Sequence, residues 1–475
     1  MRWCSSLPVA GRPKEYPHSI HAKNDIVGDL IQTGMRLMRY VLTTLLLGCA
    51  FAAAQTEQGS DQQAKNWTVH FQQTTIAQAD LPFHSPYQGK NSLVSGDSVH
   101  YSVTATLFVG RSLWTGGSLY VNPELSGGSG LSGTSGVAGF PNGETYRIGS
   151  ATPAVEVSRL FLRQNFALGA SAETEQCADG ENQIAGTIPA HRITVTAGKF
   201  SIVDIFDNNR FSHDARTQFM NWALMSAGSW DFPADTRGYT WGIALEYVHP
   251  AWSLRGSTVM VPKVANGLAM DPSVTKAHSE TFELEIPFAL LGGPGTARLE
   301  YFHTIAHMGN YHLATYDTSY ELDITRTRAY GRTKNGLTLN IEQQVGKSLG
   351  AFVRAGWSDG KNETWAFTEI DQSLSGGILL ENPFGEAPAG AFGTAVAVNG
   401  ISSEHRDYLA HGGYGFIIGD GRLNYALEVV SETFLRIEVN SFLALSGDYQ
   451  FIINPGYNRD RGPVHAFAFR VHIEP

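Results

Sequence analysis

Apolar and polar residues alternate with a period of two along most of this chain. The pattern is clear at residues 99–110, 281–290 and 336–345, where apolar side chains recur at every second position and polar ones occupy many of the positions between. Similar segments lie at residues 239–247, 252–259, 351–357, 423–430 and 467–473. Successive side chains of a β-strand point to opposite faces, so this period predicts strands with one apolar and one polar face. An all-β fold is therefore expected.

The connections between the predicted strands also alternate, in their length. Short turns at residues 249–250, 292–295 and 346–348 join the strands of a pair, whereas long polar segments at residues 263–279, 308–334 and 359–400 separate one pair from the next. Short turns at one end and long loops at the other are typical of outer-membrane β-barrels. A soluble β-sandwich also has alternating strands, so alternation alone leaves both folds open.

Residues 35–54 have the composition of a secretory signal peptide. Two arginines precede an uncharged, largely apolar stretch, and three alanines at residues 52–54 provide a small-residue cleavage site. The apolar stretch is shorter than the roughly 20 residues that a spanning helix requires. Cys49 gives an alternative, a lipoprotein signal, which its neighbours fit less well than the alanines fit a cleavage site. Residues 1–34 are interpreted as a non-native extension upstream of the start residue.

Three observations together favour the barrel. An export signal, predicted strands close to the 9–11 residues that cross a bilayer, and aromatic side chains near strand ends are all expected of an outer-membrane barrel. The aromatic residues suited to an interfacial girdle are Trp114, Tyr120, Trp241, Tyr247, Trp252, Tyr301 and Trp357. The sequence therefore predicts a transmembrane antiparallel β-barrel of about 16 strands, a size that leaves a water-filled channel. In this division, residues 55–92 form an N-terminal segment in the periplasm or the lumen, and residues 93–475 form the barrel.

Charge and motifs argue against several other classes of function. The formal net charge of −10 is the opposite of the Lys/Arg surplus expected of a nucleic-acid-binding protein. The three cysteines have no metal-ligand spacing, and His405 and His411 match no zinc pattern, so neither a metal nor another cofactor is expected. No Gly-x-Ser-x-Gly elbow occurs, but a hydrolytic triad can assemble from distant strands without a local motif. A secreted soluble carbohydrate-binding β protein and an outer-membrane hydrolase built on a barrel therefore remain as alternatives.

Residues 206–241 mix charged and amide side chains with aromatic rings. Carbohydrate-binding sites use this mixture, because amide, carboxylate and guanidinium groups pair with hydroxyl groups while flat rings cover the apolar face of a sugar. The alternative is that these charges pair with one another and brace a loop against a wall. The candidate constriction or substrate-contacting residues are Asp207, Asn208, Asn209, Arg210, His213, Asp214, Arg216, Asn221, Trp222, Trp230, Asp231, Asp235 and Arg237. The arginines of this set are expected to face its aspartates across a lumen, with Trp222 or Trp230 stacking on the sugar.

Several segments are specific enough to be compared with a known family. They are FHSPYQGKNSL (83–93), LYVNPEL (119–125), GLSGTSGVAGFPNGE (130–144), residues 206–242, GWSDGKNETWAFT (356–368), EHRDYLAHGG (404–413) and DYQFIINPGYNRDRGP (448–463). In these segments the chain resembles the carbohydrate-selective porin family, often called OprB-like. The resemblance implies a bacterial outer-membrane barrel of 16 strands, no enzymatic activity, and sugars and outer-membrane lipid as partners. It also implies passive diffusion of sugars past a constriction at residues 206–237, and it leaves a homo-oligomer open.

Overall fold

The computed structural model describes residues 66–147, 151–169, 173–319, 322–385 and 388–475. The interpretation of residues 1–34 as an upstream extension and of residues 35–54 as a signal peptide lies outside these ranges. Both interpretations therefore stay predictions.

The described part of the chain is mostly β-strand. Its strands are β1 (Trp67–Asp80), β2 (His100–Trp114), β3 (Gly117–Gly128), β4 (Ala154–Ala167), β5 (Thr174–Cys177), β6 (Gly186–Pro189), β7 (Arg192–Phe200), β8 (Thr240–His249), β9 (Trp252–Val259), β10 (His278–Leu290), β11 (Gly293–Met308), β12 (Ala329–Val345), β13 (Leu349–Ser358), β14 (Gln372–Glu381), β15 (Gly390–Gly400), β16 (Glu428–Asn440), β17 (Leu443–Ile453) and β18 (Val464–Ile473). All but β5 and β6 form a closed antiparallel barrel of 16 strands, in which β1 completes the ring against β18. β5 and β6 form a separate two-stranded hairpin. The predicted barrel of about 16 strands is confirmed.

The two ends of the barrel differ in the length of their connections. At one end, which we call the loop end, the connections are residues 81–99, 129–153, 201–239, 260–277, 309–328, 359–371, 401–427 and 454–463. At the other end, the turn end, they are residues 115–116, 168–191, 250–251, 291–292, 346–348, 382–389 and 441–442. The connection at residues 168–191 is unusual for the turn end, because it carries the β5–β6 hairpin.

Helical segments are short and occur only in connections, within the described residues. The α-helices are α1 (Trp222–Met225), α2 (Tyr311–Tyr316) and α3 (Ser403–Ala410), and the 3-10 helices are Leu131–Gly133, Gly143–Arg147, Ile202–Asp204, Ile324–Thr327 and Pro455–Tyr457. None of the described helices is both long and apolar enough to cross a bilayer.

The barrel begins earlier in the chain than the sequence predicts. Residues 55–92 are expected to form a separate N-terminal segment, but β1 lies within them and is a wall strand paired with β2 and β18. Gln72, Gln73 and Thr74 place polar side chains on both faces of β1, and this hides the alternation by which a strand is recognised. The polar segment at residues 359–400, which from the sequence could also contain two strands, contains β14 and β15.

The two faces of the strands have the chemistry that the alternation predicts. On β10, Phe282 and Ile286 point outward and are 48% and 46% exposed, whereas Glu283 between them is 1% exposed and points into the barrel. An apolar outer band and a polar interior are what an outer-membrane barrel requires. Tyr120 is an exception to the predicted girdle, because it is 4% exposed and stacks on Phe161 with ring centroids 5.0 Å apart.

Candidate functional site

The connection between β7 and β8, residues 201–239, folds into the barrel; we call it the inward loop. Most of its residues are buried, and Phe206, Phe219 and Ala223 have no exposed surface. Its helical turn α1 is capped at its N-terminus by Asn221, whose side chain accepts a hydrogen bond from the N–H of Ala223 at 3.0 Å. The inward-folded segment of the predicted fold is therefore this connection.

Asp207 anchors the inward loop to the wall through a buried ion pair. Its carboxylate accepts hydrogen bonds from Nε of Arg354 on β13 at 2.9 Å and from Nδ2 of Asn340 on β12 at 2.6 Å. Within the loop, the hydroxyl of Ser226 and the N–H of Ala227 donate to the same carboxylate at 3.1 and 2.8 Å. The side chains of Asp207 and Arg354 are 1% and 2% exposed. Asp207 therefore braces the loop and does not meet a solute.

Carboxylates of the wall also bind the backbone of the inward loop. Glu432 on β16 accepts from the N–H groups of Met220 at 2.6 Å and Asn221 at 2.8 Å. Glu283 on β10 accepts from the N–H of Asp207 at 2.8 Å. Buried backbone groups need hydrogen-bond partners, and an irregular loop cannot supply all of them itself. The wall strands supply them here, which fixes the position of the loop.

Two further aspartates of the inward loop have backbone partners. Asp231 accepts from the N–H groups of Trp365 at 3.0 Å and Ala366 at 2.8 Å, which ties the inward loop to the connection at residues 359–371. Asp235 accepts from the N–H of Tyr239 at 3.2 Å within a local turn. Burial raises the pKa of Asp231 and of Asp235 to about 6 in each case. Both carboxylates therefore have structural partners.

The arginines of the inward loop are expected to face its aspartates across a lumen, but in the structure they form ion pairs with carboxylates outside the loop. The pairs are Arg210–Glu381 at 3.1 Å, Arg216–Glu144 at 3.1 Å and Arg237–Glu156 at 2.5 Å. Glu381 and Glu156 belong to wall strands, and Glu144 belongs to the connection at residues 129–153. The structure differs from this expectation because a loop enclosed by strands has more neighbours on the wall and in other connections than within itself.

The two tryptophans of the candidate set pack inside the protein. Trp222 is 6% exposed and stacks on Phe367 with ring centroids 4.7 Å apart. Trp230 is 1% exposed and meets Phe232 edge to face at 5.2 Å. Together with Phe352 and other buried apolar residues they form what we call the aromatic cluster. Neither indole presents a face to a solute, which corrects the expectation that one of them stacks on a sugar.

A smaller part of the candidate set keeps contact with solvent. Asn208 and Arg210 are exposed, and His213 and Asp214 are half-buried. Burial lowers the pKa of His213, so its imidazole is neutral at pH 7. Burial would raise the pKa of Asp214, but the charge and the N–H of Arg216 outweigh it and lower this pKa. Asp214 therefore stays ionised. Asn209, like Asp207, is buried and bonds to Asn340.

Residues outside the candidate set complete the polar part of the site. Arg159 on β4 donates to both carboxylate oxygens of Asp204 at 2.6 and 2.7 Å. The hydroxyl of Tyr239 donates to Glu124 on β3 at 2.9 Å. We use the name charged cluster for these charged residues and their charged neighbours, which are Glu124, Glu144, Glu156, Arg159, Asp204, Arg216 and Arg237. Charged residues on the inner face of a spanning strand are the sequence signal that could have identified Glu124 and Arg159.

Comparisons with known proteins point to one family and one fold. A sequence profile described as carbohydrate-selective porin, OprB family, matches residues 90–474. The solved structure of OprB from Pseudomonas putida at high pH is similar, with a TM-score of 0.63 and 16% identity over 86% of this chain and 94% of that chain. At this identity the similarity shows the fold alone. A search of curated proteins finds no match.

Two other barrels are more distant. The outer-membrane channel DcaP of Acinetobacter baumannii aligns with a TM-score of 0.46 and 8% identity, over 88% of this chain and 99% of that chain. A loop-deletion variant of OmpT, an outer-membrane protein of Vibrio cholerae, aligns with a TM-score of 0.43 and 10% identity, over 86% of this chain and 100% of that chain.

Proposed function

The chain belongs to the carbohydrate-selective porin, OprB family, and on this premise we propose that sugars diffuse passively past the solvent-exposed polar side chains of the inward loop. The observation that supports this path is the bracing of the inward loop inside the barrel. Its tryptophans are buried in the aromatic cluster, whereas Asn208, Arg210 and Asp214 keep solvent contact. A loop held in this way keeps a passage narrow and its polar groups in fixed positions.

Selection of sugars follows from the chemistry of these exposed groups. A sugar that loses part of its hydration needs hydrogen-bond partners, and the guanidinium of Arg210 and the carboxylate of Asp214 supply donors and acceptors. Glu156 and Asp204, the more exposed members of the charged cluster, have side chains that are 18% and 26% exposed and add further acceptors. Binding must remain weak enough for release, so several modest contacts serve better than one strong site.

The same family membership places the barrel in the outer membrane. We propose that residues 35–54 act as a cleaved export signal, since their charge and apolar pattern fit one. The loop end then faces the cell exterior and the turn end the periplasm, as in other outer-membrane barrels.

The two alternatives from the sequence have less support. A soluble carbohydrate-binding protein does not expose a band of large apolar side chains such as Leu162, Ile243, Leu339 and Phe469, which are 38–51% exposed here, around its outer surface. A hydrolase is disfavoured because the family consists of porins, which are channels and not enzymes.

Liposome swelling with the purified protein tests the proposal. Arg210→Gln should lower glucose flux by about twofold to fivefold, because it removes a solvent-exposed hydrogen bond worth about 0.5–1 kcal/mol. Flux of a zwitterion of matched size should change less. Arg111→Gln is a matched control, since Arg111 lies at the turn end on the outer surface, over the ring of Trp67. Equal changes for both solutes, or no glucose flux in the wild-type protein, would contradict the proposal.

A further inference from the structure

The connection at residues 168–191 carries its hairpin into the turn end of the barrel. At its tip, the carbonyl of Gly180 accepts from the hydroxyl of Thr68 at 3.4 Å, and Asp179 lies 3.6 Å from Nε2 of His70. On the other side, the carbonyl of Asn182 accepts from Arg163 at 2.9 Å. The tip, residues 178–185, is therefore held between β1 and β4.

These contacts are made on the inner surface of the barrel. Thr68 and His70 share a face of β1 with Thr74, whose hydroxyl bonds to His472 on β18 at 2.8 Å. Arg163 shares a face of β4 with Arg159, which binds Asp204 near the start of the inward loop. β2 and β3 lie between β1 and β4 in the ring. At about 4.8 Å per strand, the tip bridges a gap of roughly 14 Å across the turn-end mouth.

The tip also contacts buried residues in the interior of the barrel. Ile184 packs against the aromatic cluster, so this part of the hairpin lies against buried apolar residues inside the barrel. A cavity of about 320 Å³ lies at the same end, between β16 and β18, and is lined by residues that include Arg436, Glu438, His472 and Glu474. The turn end therefore has open space on one side and the hairpin tip on the other.

Glu181 lies at the apex of this tip, in the turn between the bridged residues Gly180 and Gln183. It is exposed to solvent, yet burial by the surrounding walls raises its pKa to about 7. Among the charged groups, Arg216, Asp214 and Glu474 have the largest effects on this pKa. Solvent contact combined with desolvation is expected for a side chain in a narrow water-filled bore. Within the described residues, Glu181 has no ion-pair partner, whereas the neighbouring Arg216 is already engaged by Glu144.

We propose that the hairpin tip is a second narrowing of the channel, at its turn end, and that the carboxylate of Glu181 disfavours anionic solutes there, so that neutral sugars pass more readily than acidic sugars. This inference rests on the proposed function. A negative charge within about 6 Å of a permeating anion lowers its local concentration by about threefold in a water-like medium. A neutral sugar of the same size is not affected in this way.

Swelling of liposomes in glucose and in gluconate, an anion of similar size, tests the role of Glu181. Glu181→Gln should raise the ratio of gluconate to glucose flux by about threefold at pH 8. Glu175→Gln is the matched control, because Glu175 is on the same hairpin but pairs with Arg192 at 3.0 Å, and it should leave the ratio unchanged. An unchanged ratio in Glu181→Gln, or an equal rise in both variants, overturns the inference while the proposed function stands. Absence of glucose flux in the wild-type protein overturns the proposed function itself.

Two further measurements keep the test independent of any one variant. In the wild-type protein the flux ratio should rise as the pH falls from 8 to 6, because Glu181 becomes protonated, whereas in Glu181→Gln this rise should be smaller. The groups whose charges face Glu181 are Arg216 and Asp214 of the inward loop, Arg159 of β4 and Glu474 after β18. Replacing residues 178–185 by two glycines should raise single-channel conductance. An unchanged conductance would show that the tip does not narrow the channel.

Discussion

Removal of the charge of Arg354 should release the inward loop from the wall. Arg354 donates to the carboxylate of Asp207 at 2.9 Å and to the carbonyls of Leu224 at 2.9 Å and Ser212 at 2.7 Å. It therefore contacts the inward loop at three points from a single position on β13. Breaking one partner of a buried ion pair costs about 3–5 kcal/mol, because the other charge is left without compensation. Asp207 retains neutral donors such as Asn340, so we expect a cost near the lower limit, about 3 kcal/mol.

The variant Arg354→Met keeps an unbranched aliphatic stem and removes the guanidinium group, and with it the charge and the donors. A loss of about 3 kcal/mol shifts the balance between docked and undocked loop by about two powers of ten. Single-channel conductance should rise and become noisier, and the loop should be cleaved by added protease faster than in the wild-type protein. Arg111→Met, on the outer surface, is the control and should leave both measurements unchanged.

A double variant separates the ion pair from other effects of the substitution. Asp207→Asn combined with Arg354→Met removes the orphaned charge, so the double variant should be more resistant to protease than Arg354→Met alone. The backbone of Asp207 has a φ of 51°, a left-handed conformation that Asn adopts readily, so this substitution adds little strain. The reasoning is refuted if Arg354→Met leaves conductance and cleavage unchanged, or if the double variant is no better than the single one.

Two further predictions concern stability. Trp222→Ala should lower the free energy of unfolding by about 3–5 kcal/mol, seen as a lower temperature for the heat-induced shift in gel mobility, and Trp241→Ala on the outer surface should cost much less. His405 is buried; burial alone would lower its pKa, but hydrogen bonds to Asp371 and Glu369 outweigh burial and raise it. Its stabilising charge is therefore fully present below about pH 6.5 and is lost as the pH rises through the raised pKa. The deficit in stability of His405→Gln, measured against wild type by the same assay, should be largest at pH 6 and shrink towards pH 9.

The wall strands of the barrel can be predicted from the sequence because the alternation of apolar and polar residues that marks them is a local pattern. A strand such as β10 shows its two faces within a few residues, and Phe282 and Glu283 lie on the faces that the alternation predicts. The segment that forms the inward loop can also be predicted, since residues 206–241 combine charged and amide side chains with aromatic rings. β1 cannot be recognised in this way, because polar residues at consecutive positions remove the period of two.

The partners of the inward loop could not be predicted, since they depend on closure of the ring. Arg216 is 72 residues away from Glu144, and no local pattern relates the two. Burial of Trp222 was equally hidden, because a ring that stacks on a sugar and a ring that packs beneath a loop occur in the same mixture of aromatic and polar residues. The sequence thus identified the segment that fills the barrel, but not which of its side chains face solvent.

Small residues in the wall allow aromatic rings of the inward loop to pack closely against β13 and β15. A side chain at Gly350 would overlap the ring of Phe211, and one at Gly393 would overlap Phe434 and Phe219. β13 and β15 therefore lack side-chain volume where these rings lie, which allows close packing at these two positions. The charged cluster meets β3 and β4, about half the ring away from β13 and β15. Because Glu156 and Asp204 of the charged cluster keep solvent contact, we expect substitutions in this cluster to change solute preference. Substitutions of the wall glycines should instead change the position of the loop.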